Sequence, residues 1–301
     1  MRVRLSARTR IADGGRLLVG GSPLTVQRLR RAVTEVDADT TLGRRWLATG
    51  LGSPVLDDVE PVPAADLTVV VPAHGRPDAV ARCLAGLDPL AVVVVDDASD
   101  PPLAGATVTL GVNAGPAGAR NAGLARVRTP YVALVDSDVQ VAAADLLALT
   151  RHLADPHVAL VAPRVRGRST HARWWERYDA AHSALDLGPH PAPVRPGSEV
   201  SYLPSACLVA RTAVLRDEAG GFDEELRVGE DVDLVWRLVA AGHGIRYDPD
   251  VVVTHDTRPT VGAWLRQSFG YGSSAAPLAA RHGSAVAPAV LRPGLGLAAA
   301  A

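Results

Sequence analysis

The chain has no lysine: all 31 of its basic residues are arginine, most simply a codon bias. That absence excludes any mechanism that needs a lysine amine. Cysteine is nearly absent too. Cys83 and Cys207 lie far apart and without metal-ligand spacing, so they read as two buried thiols in a reducing, cytoplasmic setting. The opening MRVRLSARTR is basic, but no apolar stretch follows it, and no secretory signal is expected. No run reaches membrane-spanning length. The nearest, from Ala285, is interrupted by Pro288, Arg292 and Pro293. Charge of one sign is also lacking: the formal net charge is −1, which argues against nucleic acid as a partner.

What is present suits a globular chain of one large domain or two unequal ones, with 48% hydrophobic and 21% charged residues over 301 positions. Residues 1–62 read as a small first unit. RLLVGGSPLTVQRLR suggests a strand, a turn and a short helix; ADTTLGRRWLATGL suggests a second helix; SPVLDDVEPVPAAD reads as a linker. From Leu67 the pattern changes. LTVVVPAHGR, AVVVVDDASD, ATVTLGVNAG and YVALVDSD are apolar runs that end in polar loops, separated by helical stretches. Runs buried on both faces and alternating with helices predict an open, parallel α/β sheet. Such sheets bind ligands at the carboxyl ends of their strands, where PAHGR, DDASD and VDSD stand.

Two of these segments carry chemistry. In VDSD, Asp136 and Asp138 place two like charges at the end of a buried run. As a lone pair they would most simply cap a helix. In GEDVDLVWRL the acids Glu230, Asp231 and Asp233 open an amphipathic helix, where acids also complement the helix dipole. Taken together with Asp96, Asp97 and His255 on one α/β frame, they suit a hard divalent cation that holds a phosphate ester, with one carboxylate left as general base. Arg120 could offset phosphate charge. Trp174 and Trp175 suit either a sugar platform or packing, Tyr202 and Ser205 could flank an acceptor, and His171, His182 and His190 have no ligand spacing.

Residues of roughly 67–272 resemble the family 2 glycosyltransferases of the GT-A fold. The resemblance rests on VVVPAHGRPDAVARCL, VVVVDDASD, NAGPAGARNAGL, VALVDSD, GGFDEELRVGEDVDLVWRL and VVTH, six pieces in order. It implies a Rossmann-like open mixed sheet with flanking helices over 63–282, preceded by a winged-helix-like, peptide-binding unit at 1–62 and followed by an alanine-rich tail at 283–301. More narrowly, the chain resembles mycofactocin-system members of that family. By position, the resemblance places Pro72, Ala73, His74, Arg76 and Asp97 at the nucleotide base, Asp136 on the ribose side, and Arg120 near the nucleotide. It places Asp138 and His255 at Mn²⁺ or Mg²⁺, Asp231 as general base, and Glu230 on the acceptor side. The implied donor is UDP-glucose, the implied acceptor a small peptide-derived molecule, and the alanine-rich end leaves weak membrane association open. His-Gly stands in PAHGR where an aromatic-Asn pair is frequent in the family, and the Gln-x-x-Arg-Trp signature of processive synthases is absent. The competing expectations are a nucleotidyltransferase, for which PAHGRPD is a poor phosphate loop, and an inactive transferase-like module that delivers a peptide.

Overall fold

The structure is a computed structural model describing residues 1–169 and 173–286. His171 and most of the alanine-rich tail, residues 287–301, lie outside the described residues. The first unit contains β1 (Arg2–Leu5), β2 (Arg10–Ala12), β3 (Leu17–Gly20), β4 (Thr25–Arg28), β5 (Glu35–Asp37), α1 (Thr41–Thr49) and β6 (Gly52–Val55). β5–β1–β6 and β2–β3–β4 are two small antiparallel sheets. The helix expected after GGSPL is strand β4 instead. Thr25 and Val26 are β-branched, and the segment alternates between partly buried and exposed residues, the period of a strand. α1 forms where expected: the Thr40 side chain accepts from the Gly43 amide, and Gly50 ends the helix with a left-handed φ of 74°. Its Trp46 and Leu47 pack on Val3, Leu18, Leu29 and Leu51. The expected linker begins as β6, and only 56–63 hold neither helix nor strand.

The large sheet is built from β7 (Leu67–Ala73), β8 (Ala91–Asp96), β9 (Val108–Thr109), β10 (Tyr131–Val135), β11 (Val139–Gln140), β12 (Val158–Arg168), β13 (Ala192–Pro193), β14 (Cys207–Arg211) and β15 (Gly244–Asp256). The helices are α2 (Pro77–Leu84), α3 (Gly115–Leu124), α4 (Ala143–Leu149), α5 (Trp174–His182), α6 (Glu230–Ala240), α7 (Val261–Ser273) and α8 (Ala275–His282). The strand order is β11-β15-β12-β14-β10-β7-β8-β9, with β13 paired to β15. β9, β8, β7 and β10 are mutually parallel, as the alternating pattern predicts. β14 runs antiparallel between β10 and β12, so the sheet is mixed rather than parallel throughout.

Alternate residues of β7 feed opposite faces. Val70 packs with Ala119 and Leu124 of α3 and with Leu234 of α6, while Val69 and Val71 pack with Cys83 of α2 and with Leu146 and Leu149 of α4. Burial of the valines and leucines among these stabilises each by roughly 1.5–3 kcal/mol. The pairing directions bring the carboxyl ends of β7, β8, β10, β12 and β15 to one edge, beside the start of β14. Among the described residues, no helix is long and apolar enough to cross a membrane.

Candidate active site

A cavity of about 480 Å³ opens at this edge. Arg120, Asp136, Asp138, Glu230, Asp231 and His255 all line it, so six of the sequence-predicted residues come together. Tyr202 and Ser205 also line it, with Leu185, Pro204, Trp236 and Leu278 forming an apolar part of the wall. Pro72, Ala73, His74, Arg76 and Asp97 do not line it. They stand next to it at the ends of β7 and β8, and Arg76 reaches it through its ion pair with Asp138 at 3.1 Å. Trp174 and Trp175 do not line it either; Trp174 is an exposed side chain, with the Trp175 ring edge-on to it at 5.8 Å.

The polar half is organised around one buried arginine. Arg120 projects from α3 with only 4% exposure. It donates from Nη1 to Glu230 Oε1 at 2.8 Å and from Nη2 to Asp136 Oδ1 at 2.7 Å. The Phe222 ring lies 5.4 Å from its guanidinium carbon. The sequence reading placed this arginine as a counter-charge to phosphate; in the structure both of its terminal nitrogens hold carboxylates. The two acids of VDSD thus diverge: Asp136 is held by Arg120, and Asp138 Oδ2 by Arg76 and by Arg258 at 3.2 Å.

Glu230 and Asp231 begin α6 after Gly229, whose φ of 86° is left-handed. Burial first, and then the neighbouring Asp231 charge, push the Glu230 carboxyl up to about 7, against the pull of Arg120. Burial also raises Asp231, against Arg120 and backbone hydrogen bonds. Asp231 accepts from the Ser205 amide at 3.2 Å and the Val232 amide at 2.8 Å. Glu230 is therefore tethered by an arginine, whereas Asp231 is oriented by backbone amides alone, with a carboxyl shifted toward neutrality. That is the disposition of a general base.

On the nucleotide side, Asp97 was expected to meet a base N–H. Its two oxygens already accept from the Ala114 and Gly115 amides at 2.7 and 2.9 Å, holding the N-terminus of α3 where a negative charge is favourable. A carboxylate has further acceptor capacity, so the base contact stays open to it. His74 Nδ1 lies 2.7 Å from the Asp97 carbonyl and must donate to it, leaving Nε2 as an acceptor. Gly75, at φ 64°, turns the loop between them and α2.

Among the described residues, no group of three or more His, Cys, Asp or Glu side chains converges on a metal position. Asp138 and His255 are nevertheless neighbours across β11 and β15: Val139 pairs with His255, and the Asp256 amide donates to the Asp138 carbonyl at 3.2 Å. His255 Nδ1 lies 2.7 Å from the Asp256 carbonyl. Donation there fixes the tautomer and leaves Nε2 as the lone-pair nitrogen, an arrangement common in ligating histidines. One carboxylate and one imidazole fit a hard cation whose other positions are filled by phosphate and water. The cysteines take no part. Both are buried and free, and burial followed by Asp136 and Asp138 pushes the Cys83 thiol up to about 12.

Sequence reasoning missed Arg258, Tyr271 and Trp236, all on the cavity wall. Arg258 follows the VVTH segment by three residues, a spacing that could have flagged it. Tyr271 lies on α7, whose Trp264 stands edge-on to Tyr178 of α5, and α7 leads into α8, which packs on α6. His282 of α8 meets Asp233 at 2.7 Å and stands edge-on to Trp236 at 5.2 Å.

A mixed sheet with acids gathered at its carboxyl edge and at the start of α6 is the GT-A class of glycosyltransferase fold. Residues 68–216 match Glycosyl transferase family 2. The chain belongs to that family. It is 41% identical over 310 aligned positions to pre-mycofactocin glycosyltransferases of Mycobacterium tuberculosis, from strains CDC 1551 / Oshkosh and ATCC 25618 / H37Rv. The match covers 97% of this chain and 66% of each relative, so the chain spans about two thirds of their length. Its fold is similar to the mannosyltransferase PcManGT of Pyrobaculum calidifontis in complex with GDP-Man and Mn²⁺. There the TM-score is 0.51 at 22% identity, covering 85% of this chain and 84% of that one.

Proposed function

We propose that this chain transfers a sugar, glucose from UDP-glucose, to a hydroxyl of a small peptide-derived acceptor such as a mycofactocin precursor, with inversion and with a divalent metal. The observation that carries the reading is Asp231, a carboxylate free of ion pairs among the described residues and held by the Ser205 and Val232 amides at the wall of a half-apolar cavity. The name of the M. tuberculosis relatives supports the acceptor class. The family resemblance supports the donor. Residues 1–62 would serve as the peptide-binding unit and 63–282 as the transferase domain.

In this reading the acceptor lies along Tyr202, Pro204, Trp236 and Leu278. Asp231 takes the hydroxyl proton as that oxygen attacks the anomeric carbon, and the bond to the nucleoside diphosphate breaks on the opposite face. Glu230, fixed by Arg120, shapes the acceptor side. Pro72, Ala73, His74, Arg76 and Asp97 hold the base end, and Asp136 the ribose side. Asp138 and His255 would hold Mn²⁺ or Mg²⁺, which when bound neutralises charge on the leaving group. Arg258, paired with Asp138 in this structure, would then be free to meet the diphosphate.

Calorimetric titration of UDP, and separately GDP, with and without Mn²⁺ tests the nucleotide assignment. Metal-dependent UDP binding that disappears in Asp138→Asn supports it. Turnover of UDP-glucose by the wild type when the acceptor is present completes the test. Absence of binding by a folded sample would overturn the assignment.

A further inference from the structure

Residue 256 touches both proposed metal ligands through its backbone. Its amide donates to the Asp138 carbonyl at 3.2 Å, and its carbonyl accepts from His255 Nδ1 at 2.7 Å. Its side chain does not line the cavity. It is instead held from two directions, by Arg82 Nη2 of α2 at 2.8 Å and Arg168 Nη2 of β12 at 2.6 Å. Asp256 is 7% exposed. The next residue is tied to the same strand, since the Thr257 amide and hydroxyl both donate to the Arg168 carbonyl at 3.2 Å. The segment 255–257 therefore has little freedom, and its fixed carbonyl sets the tautomer of His255.

We infer that Asp256, clamped between Arg82 and Arg168, is a positioning residue that sets the distance and orientation of His255 relative to Asp138 for a divalent cation. The inference rests on the metal reading above. A carboxylate with two cationic partners on different elements resists rotation, and that resistance passes through one residue of backbone to each ligand. Loss of such outer partners weakens metal binding by about 10–100-fold.

The test is Mn²⁺ affinity of the full chain with UDP saturating, read by calorimetry and by the electron-paramagnetic signal of free Mn²⁺. Asp256→Asn should weaken Mn²⁺ by the factor above, with metal-free UDP affinity unchanged. Arg82 is 47% exposed at the surface of α2, so Arg82→Ala should keep the fold and show the same loss in smaller degree, with Arg82→Lys restoring part of it. Unchanged Mn²⁺ affinity in both folded variants would overturn the clamp while leaving the metal reading intact. A wild type that binds UDP but no Mn²⁺ would overturn both.

Discussion

Replacing Arg120 by methionine should destabilise the protein in a way that depends on pH. Methionine matches the length of the arginine stem but leaves Glu230 and Asp136 without the guanidinium now 2.8 and 2.7 Å away. Arg120 and Glu230 are 4% and 8% exposed as side chains, so water offers little replacement. Removing one partner of such a buried pair costs about 3–5 kcal/mol. The carboxyl can escape part of that cost by taking a proton. Glu230 already sits at about 7 with Arg120 holding it down, and without the arginine it rises further. A carboxyl whose pKa is higher in the folded than in the unfolded chain stabilises the fold below the unfolded value. That contribution disappears as pH rises through the folded value. In the wild type the loss is therefore spread between the ordinary carboxylate range and pH 7. In Arg120→Met it continues above pH 7, so the gap between the two should widen by about 1 kcal/mol from pH 7 to pH 8, bounded by 1.4 kcal/mol for one extra proton. Urea unfolding of both proteins at pH 6, 7 and 8 measures it. A gap that is flat with pH, or smaller than about 1 kcal/mol throughout, would refute the view that Arg120 is the counter-charge of the buried Glu230 carboxylate.

Other consequences can be checked alongside. Asp231→Asn should abolish sugar transfer while leaving UDP affinity near the wild-type value; retained turnover would remove Asp231 as the base. Turnover should fall as pH drops through about 7, where the Glu230–Asp231 pair takes up a proton. Glu230→Gln should move that acid limb to lower pH by removing a neighbouring negative charge, and an unmoved limb would count against the coupling. Gly229→Ala forces a β-carbon into the left-handed region, 2.9 Å from Ser274 Cβ and 3.1 Å from Leu278 Cδ1. About 1–2 kcal/mol of stability should be lost, with faster hydrogen exchange over Ala275–His282.

The first half of the large sheet was legible because its strands are buried on both faces, and such strands read as unbroken apolar runs. The run ATVTLGVNAG was overread: only Val108–Thr109 pair, at an edge. β12 went unread because Arg164 and Arg166 interrupt VALVAPRVRGR; Arg164 is half-buried and paired with Asp186 at 2.7 Å. β4 was misread as helix because TVQRLR holds no turn signal, and its strand state comes from pairing with β3. In the site, acids announced themselves by clustering at run ends. Their partners were less legible: Arg258 was missed, and Arg120 was placed in the site as a counter-charge to phosphate, because their contacts to Asp138 and Glu230 lie 120 and 110 residues away along the chain. The apolar wall was the least legible part, since α8 joins it through one buried leucine, Leu278.

The loop after β13 has two sides. On one, Arg195 Nη2 donates to the Ser22 carbonyl at 2.7 Å, and the Glu199 amide donates to the Ser22 hydroxyl at 2.6 Å. On the other, Gly197, Ser201 and Tyr202 face the cavity. Nearby, the buried Arg246 of β15 donates to the Leu47 carbonyl of α1 at 2.8 Å. Removing the first sixty residues would thus strip this loop of its seat and uncover a guanidinium. Truncations meant to isolate residues 63–282 would carry an altered cavity wall, and kinetic comparison of trimmed and untrimmed chains would measure that wall as much as any contribution of residues 1–62 themselves.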